Sequence, residues 1–305
     1  MSAPPPPIDD RRLFGIGLVL LGYAGFTGID TSAKYLAAHG IPTFEIVFVR
    51  HIVQLLLIVA IFMPSRGLTL FRSNSLPLNF GRAMGLLGSS IFNFLAVSYL
   101  PLTVTGSIMF LQPLLLVALS IPMLGEKVGW RRWLAIVVGF IGILIIVRPG
   151  SATFHPAVGL SLLAATSGAF YLLFTRRLAT IDTVATQQFY APLICAVIVA
   201  PLALTNWVWP SDPGTWFAFA MIGVFGMVGH QLATAAHRFA PASVLAPFGY
   251  SQIITLSLTS WLIFAQPPSI WLYIGGPIVI GSGLYIWLRE RELGKRTPEA
   301  GETAA

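Results

Sequence analysis

Five ionisable residues crowd into otherwise apolar sequence: Asp30 and Lys34 in TGIDTSAKYL, then Glu45, Arg50 and His51 in FEIVFVRHIVQLLL. Their types allow three kinds of chemistry. Opposite charges could neutralise each other: Asp30 and Lys34 are four residues apart, a spacing that lets them pair on one helix, and Glu45 could pair with Arg50. The Arg50 guanidinium, or Lys34, could instead draw in an anionic or strongly hydrogen-bonding group. His51 titrates near neutral pH, and Asp30 or Glu45 could carry a proton. Enzyme chemistry finds no footing. Asp30 is the one aspartate within a long apolar stretch, and neither GxSxG nor HExxH occurs. One cysteine, Cys195, and scattered histidines make no zinc set. Neither a metal nor a cofactor is expected.

What those charges mean depends on the elements that carry them. Of 305 residues 56% are hydrophobic and only 10% charged, with a mean hydropathy of +0.81. Soluble domains carry roughly 25% charged residues, so this chain is an all-α integral membrane protein. Ten stretches approach the ~20 residues a bilayer core requires: 13–37, 43–63, 77–99, 102–123, 130–148, 155–176, 183–204, 214–236, 240–264 and 270–288. Arg11 and Arg12 precede the first as in a signal peptide. That stretch is longer than a typical h-region and no small-x-small site follows it, so it reads as a retained span. Trp207, Trp209 and Trp216 cluster at one connection, as aromatic residues do at a membrane interface.

Basic residues orient the bundle. With the N-terminus inside, 15 of the 18 Lys and Arg, Arg82 among them, fall on the cytoplasmic side. Lys34 and Arg148 fall opposite, and Arg50 is left within a span. The positive-inside rule then places both termini in the cytoplasm, and the charge excess of +7 reads as topology and not as a nucleic-acid footprint. The expected partners are the lipid bilayer and a small-molecule substrate, with a homodimer left open. The final stretch, ERELGKRTPEAGETAA, reads as a disordered tail.

The two halves resemble each other. Pro101 falls on Pro241, Gln112 on Gln252, Gly85 and Gly88 on Gly226 and Gly229, Trp130 on Trp271, Gly142 on Gly283 and Lys34 on Arg176, the offset staying within 140–142. Five spans per half is an odd number, so the second half must insert upside down: a tail at 1–12, one repeat over 13–148, an inverted repeat over 155–288 and a tail at 289–305. Inverted repeats place a substrate site near the midplane between them and suit alternating access.

Polar residues inside the spans become candidates for that site. Arg50 lies about 10 Å in from its end of the span at ~1.5 Å per residue. Gln112 and Gln252 each stand eleven residues beyond their matched proline, about 16 Å in, beside Pro113 and Pro247. A proline leaves the carbonyl four residues earlier without its helical partner, here Met109 and Ser243. Glycines at 81, 85, 88 and at 223, 226, 229 form close-packing stripes, with Asn93, His230 and Gln231 just beyond them. Tyr171 and Tyr250 are aromatic candidates for stacking a planar ring. The binding set is therefore Arg50, His51, Asn93, Gln112, Tyr171, His230, Gln231, Tyr250 and Gln252. The charge or coupling set is Asp30, Lys34 and Glu45.

Ten spans as five plus five, Arg50 in the second, Pro113 and Pro247 in the fourth and ninth, and LGEKVGW after the fourth together resemble the drug/metabolite transporter superfamily, EamA type. The resemblance covers nearly all of residues 13–290. It implies a secondary transporter of small metabolites in the inner membrane of a bacterium, with spans one to four and six to nine lining the pathway and five and ten peripheral. The second half reads Ala265-Gln266 where the family pattern repeats Gly-Glu. GIDTSAKYL and APFGYSQ are similar to a bacterial subgroup containing metabolite and riboflavin transporters. That implies riboflavin uptake first and export of amino acids or drug-like compounds second. A channel would need rings of carbonyls or charges at the midplane, where this sequence is mostly apolar.

Overall fold

A helix that is apolar around its circumference has no face to offer water, and in lipid it must satisfy every backbone group within itself. The chain meets both demands with helices. A computed structural model describes residues 11–124, 129–152 and 154–296; the side chains of 124, 242, 243, 246 and 290–296 are outside that description. Gly125–Val128 of the LGEKVGW stretch, the tail at 1–10 and residues 297–305 lie outside the described residues.

The helices are α1 (Arg12–Ala38), α2 (Thr43–Arg66), α3 (Leu76–Tyr99), α4 (Leu102–Met109), α5 (Gln112–Leu124), α6 (Trp130–Val147), α7 (Val158–Leu178), α8 (Val184–Leu204), α9 (Pro213–Ala236), α10 (Ala242–Leu245), α11 (Gln252–Phe264) and α12 (Ile270–Arg296). Among the described residues nine segments are long and apolar enough to cross a membrane, α4 and α5 forming one of them. The remaining one, the ninth stretch at 240–264, is split by a 3₁₀ turn at Ala246–Ser251. Helix α12 runs on to Arg296, past the boundary expected at 288.

Local chemistry sets the breaks. Helix α4 stops at Met109, four residues before Pro113, which has no N–H to return. Pro247 opens the 3₁₀ turn in the ninth stretch. Gln112 and Gln252 are each the first residue of the thirteen-residue helix that resumes after the break. At the α9 start Asp212 accepts from Gly214 N (2.9 Å) and Thr215 N (3.0 Å), closing a capping box. Gly40, at φ +80°, makes the tight α1–α2 turn.

Packing between the halves is reciprocal. Helix α1 lies along α9 as α3 lies along α7; α2 packs on α9 as α8 packs on α3; α1 meets α11 as α7 meets α5; and α2–α8, α4–α11 and α6–α12 pair across the centre. Glycines permit the two longest crossings. A Cβ on Gly25 would stand 3.0 Å from Gly229 Cα, and one on Gly85 would stand 2.6 Å from Tyr171 N. Leu36, Ile46, Phe94, Leu102 and Ile222 fill the main core between them.

Candidate functional site

The polar side chains that fail to find loops converge where α1, α2, α3, α7 and α9 meet. Arg50 is 6% exposed and donates from Nη1 to Ser90 Oγ of α3. Its guanidinium lies over the Phe94 ring at 5.6 Å, close to Gly226 of α9, and Gln54 one turn on lies against the same glycine. Asp30 of α1 accepts from Asn93 Nδ2 (2.8 Å). His51, fully buried, donates from Nδ1 to Val47 O at 2.7 Å. A carbonyl can only accept, so this bond leaves Nε2 as the free ring nitrogen.

Four of these groups keep a buried polar atom without a hydrogen-bond partner in the protein: Arg50 Nε, His51 Nε2, Gln54 Oε1 and Asn93 Oδ1. An unsatisfied buried group costs about 1–3 kcal/mol, so these four, with Glu45 Oε1 and Asn79 Oδ1 also unpartnered along α2 and α3, are a demand for donors and acceptors from elsewhere. Three rings cluster at His230 of α9: Phe26 of α1 meets it edge-on at 4.9 Å, and Tyr171 of α7 lies tilted at 6.4 Å. Helices from both halves thus supply one surface that combines aromatic faces with buried hydrogen-bonding groups.

Two expected ion pairs do not form. Lys34 donates to Leu100 O (2.6 Å) and Val97 O (3.1 Å), capping the C-terminal end of α3, with the Phe264 ring 5.4 Å away. Free carbonyls and the helix dipole both favour a cation there. Glu45 accepts from Val208 N (2.9 Å), tying α2 to the α8–α9 connection and not to Arg50.

The remaining candidates are dispersed. Gln112 presses its amide into the notch left by Gly168 of α7, with Met109 Sδ at 3.8 Å. Gln252 and Gln231 are half-buried. Tyr250 meets Phe110 at 5.2 Å and turns its hydroxyl toward Gly283 of α12.

Sequence reasoning missed Gln54, Ser90, Phe26 and Arg82. The four-residue step from Arg50 to Gln54 was an available signal, since it puts both on one helix face. Arg82 was grouped with the cytoplasmic charges, yet it is 2% exposed inside α3. It donates to Thr175 Oγ1 (2.9 Å), Gln187 O (2.6 Å) and Tyr171 OH (2.8 Å), and stacks on the Tyr171 ring at 4.6 Å. Among the described residues no cluster of three or more His, Cys, Asp or Glu could hold a metal ion.

Comparison with known proteins places this geometry. Residues 13–148 and 155–288 match the EamA-like transporter family. The S-adenosylmethionine uptake transporter of Rickettsia felis is 25% identical over 94% of this chain and 97% of its own. The riboflavin transporter of Vibrio cholerae is 25% identical over 95% and 98%. The pseudopaline exporter of Pseudomonas aeruginosa is 26% identical over 87% and 93%. A solved crystal structure shares the fold with a TM-score of 0.58 at 22% identity, covering 90% of this chain and 98% of that one.

Proposed function

The chain belongs to the EamA-like transporter family, and on that premise we propose that it carries riboflavin into the cell by alternating access around the Arg50–His230 surface. It is a bacterial multi-pass membrane protein, a transporter of small molecules and not an enzyme. In the proposed arrangement 13–148 and 155–288 are inverted repeats and both termini face the cytoplasm. The reciprocal helix packing and the two separate family matches support that layout.

One observation carries the substrate reading. The Phe26, His230 and Tyr171 rings cluster at His230 of α9, and one turn away at Gly226 the same helix meets Arg50 Nε and Gln54 Oε1, two buried atoms that lack partners. A flat heteroaromatic ring with acceptors and an N–H on its rim, as in riboflavin, would engage both kinds of contact. Three buried basic residues, Lys34, Arg50 and Arg82, stand in α1, α2 and α3 against Asp30 and Glu45 in the first two of those helices. That balance favours an uncharged, acceptor-rich ring over a cation.

S-adenosylmethionine is the second reading. It is favoured by the Rickettsia relative and by Asp30, whose carboxylate could meet a sulfonium. Direction stays a property of the gradient. The Pseudomonas relative is an exporter, and export of amino acids or drug-like compounds is the reading that follows if neither compound enters.

The test is growth of a riboflavin auxotroph on limiting riboflavin, carrying this gene, Arg50→Ala at equal membrane abundance, or an empty vector. Rescue by the gene and not by Arg50→Ala supports both substrate and site. Rescue by both keeps riboflavin and removes Arg50 from the site. No rescue sends the assay to S-adenosylmethionine uptake and then to efflux. Asp30→Asn separates coupled from uncoupled transport: a coupling carboxylate, once neutralised, loses uptake driven by a pH gradient and retains exchange.

A further inference from the structure

Resting on the reading of Tyr171 as a site residue, we propose that Arg82 is a positioning residue. It holds the Tyr171 ring against the site and ties that ring, through Gln187, to a clasp that closes the bundle where α2 hands over to α3.

The clasp is built on Asp182, in the short connection between α7 and α8. Its Oδ1 accepts from Asn74 N (2.7 Å), and its Oδ2 from Ser73 Oγ (2.7 Å) and Asn79 Nδ2 (2.6 Å). Asn74 Nδ2 donates to Ile181 O (2.8 Å), and Tyr190 OH to Phe71 O (2.8 Å). One half of the chain is thereby stitched to the other at this end of the bundle. A carboxylate 6% exposed and holding three donors is a strong joint, because hydrogen bonds to an ionised acceptor are about twice as strong as neutral ones.

The joint does not stop at the surface. Gln187 Nε2 donates to Asp182 O (3.1 Å), Arg82 Nη1 to Gln187 O (2.6 Å) and Arg82 Nη2 to Tyr171 OH (2.8 Å). The guanidinium also lies over the Tyr171 ring, 4.6 Å from its centroid, and that ring lies 6.4 Å from the His230 ring. A planar fork of five donors can hold one angle between two partners as a lysine ammonium cannot. Any substrate that displaces the Tyr171 ring pulls on the residue that braces the clasp, so occupancy and closure share one chain of contacts between two rigid helices.

The experiment is amide hydrogen exchange over residues 67–81 in the purified, substrate-free protein. Asp182→Asn reports what an open clasp looks like, and exchange there rises. Tyr171→Phe removes one hydroxyl outside that segment and keeps the ring. Tyr171→Phe and Arg82→Lys each raise exchange over 67–81 by roughly 2- to 10-fold, the scale of one lost hydrogen bond. In the Asp182→Asn background Tyr171→Phe adds nothing, as residues acting in series require. If Asp182→Asn speeds exchange while Tyr171→Phe and Arg82→Lys leave it unchanged, or if Asp182→Asn itself changes nothing, the proposal is wrong. Riboflavin binding to Tyr171→Ala tests the site reading separately. Wild-type affinity there removes Tyr171 from the site but leaves the exchange result standing as a measure of the link.

Discussion

Arg50 carries its charge in a span where the mildest scale charges about 2.5–3.5 kcal/mol for an arginine. Ser90 and the Phe94 face offset part of that cost, while its Nε keeps no protein partner. That braced side and unsatisfied side are why the proposed site is centred on Arg50. Removing a charge-assisted hydrogen bond costs about 1.5–3 kcal/mol, so Arg50→Ala lowers transport by roughly 10- to 100-fold, measured as initial uptake at fixed protein density. Arg50→Lys, which keeps the charge and loses the fork, recovers only part of it. Asp182 predicts a pH dependence. Burial pushes its carboxyl up, but hydrogen bonds from the Asn74 backbone and the Ser73 and Asn79 side chains outweigh that and hold it below the usual carboxylate value of 3.8. A depressed folded-state value stabilises at pH above the unfolded one and is lost as pH falls through the folded one. The clasp's contribution to the melting temperature is therefore constant from pH 8 to about pH 5, two figures well above the ordinary Asp value, and fades only below it. In Asp182→Asn that acid limb flattens. At this scale the charges of Asp30, Lys34, Glu45 and Arg50 were legible from spacing, but their partners were not. Lys34 binds carbonyls of α3 and Glu45 a backbone N–H of the α8–α9 connection, and contacts between distant segments leave no local pattern.

Elements were legible wherever apolar length or a breaker residue decides them. The kinks at Pro113 and Pro247 and the interhelical role of Gly85 and Gly229 follow from chemistry written at those positions. The burial of Arg82 was not legible, because it stands early in its helix close after loop arginines and is covered by α7 and α8, which lie far on in the sequence. The Ala265-Gln266 departure has a structural consequence. Ala265 ends α11 in the left-handed region at φ +53°, closing the helix with Gln266 N donating to Ser260 O at 2.9 Å. A residue with a Cβ loses about 1–2 kcal/mol there, and glycine returns part of that to unfolded-chain entropy. Ala265→Gly raises stability by about 1 kcal/mol, read as a higher melting temperature in detergent with transport unchanged.

At the scale of the molecule, reciprocal packing makes the site a junction. Asp30, Arg50 and Asn93 come from the first half, and Tyr171 and His230 from the second. A surface built by two bodies changes when they move against each other, which is what alternating access requires. Counterflow tests this most directly. Proteoliposomes holding the protein and preloaded with unlabelled riboflavin are diluted into a trace of labelled riboflavin. A carrier accumulates label transiently above equilibrium, in a saturable manner, and Arg50→Ala abolishes the overshoot. Label that rises only to equilibrium, linearly with concentration and equally in Arg50→Ala, would contradict riboflavin exchange through this site.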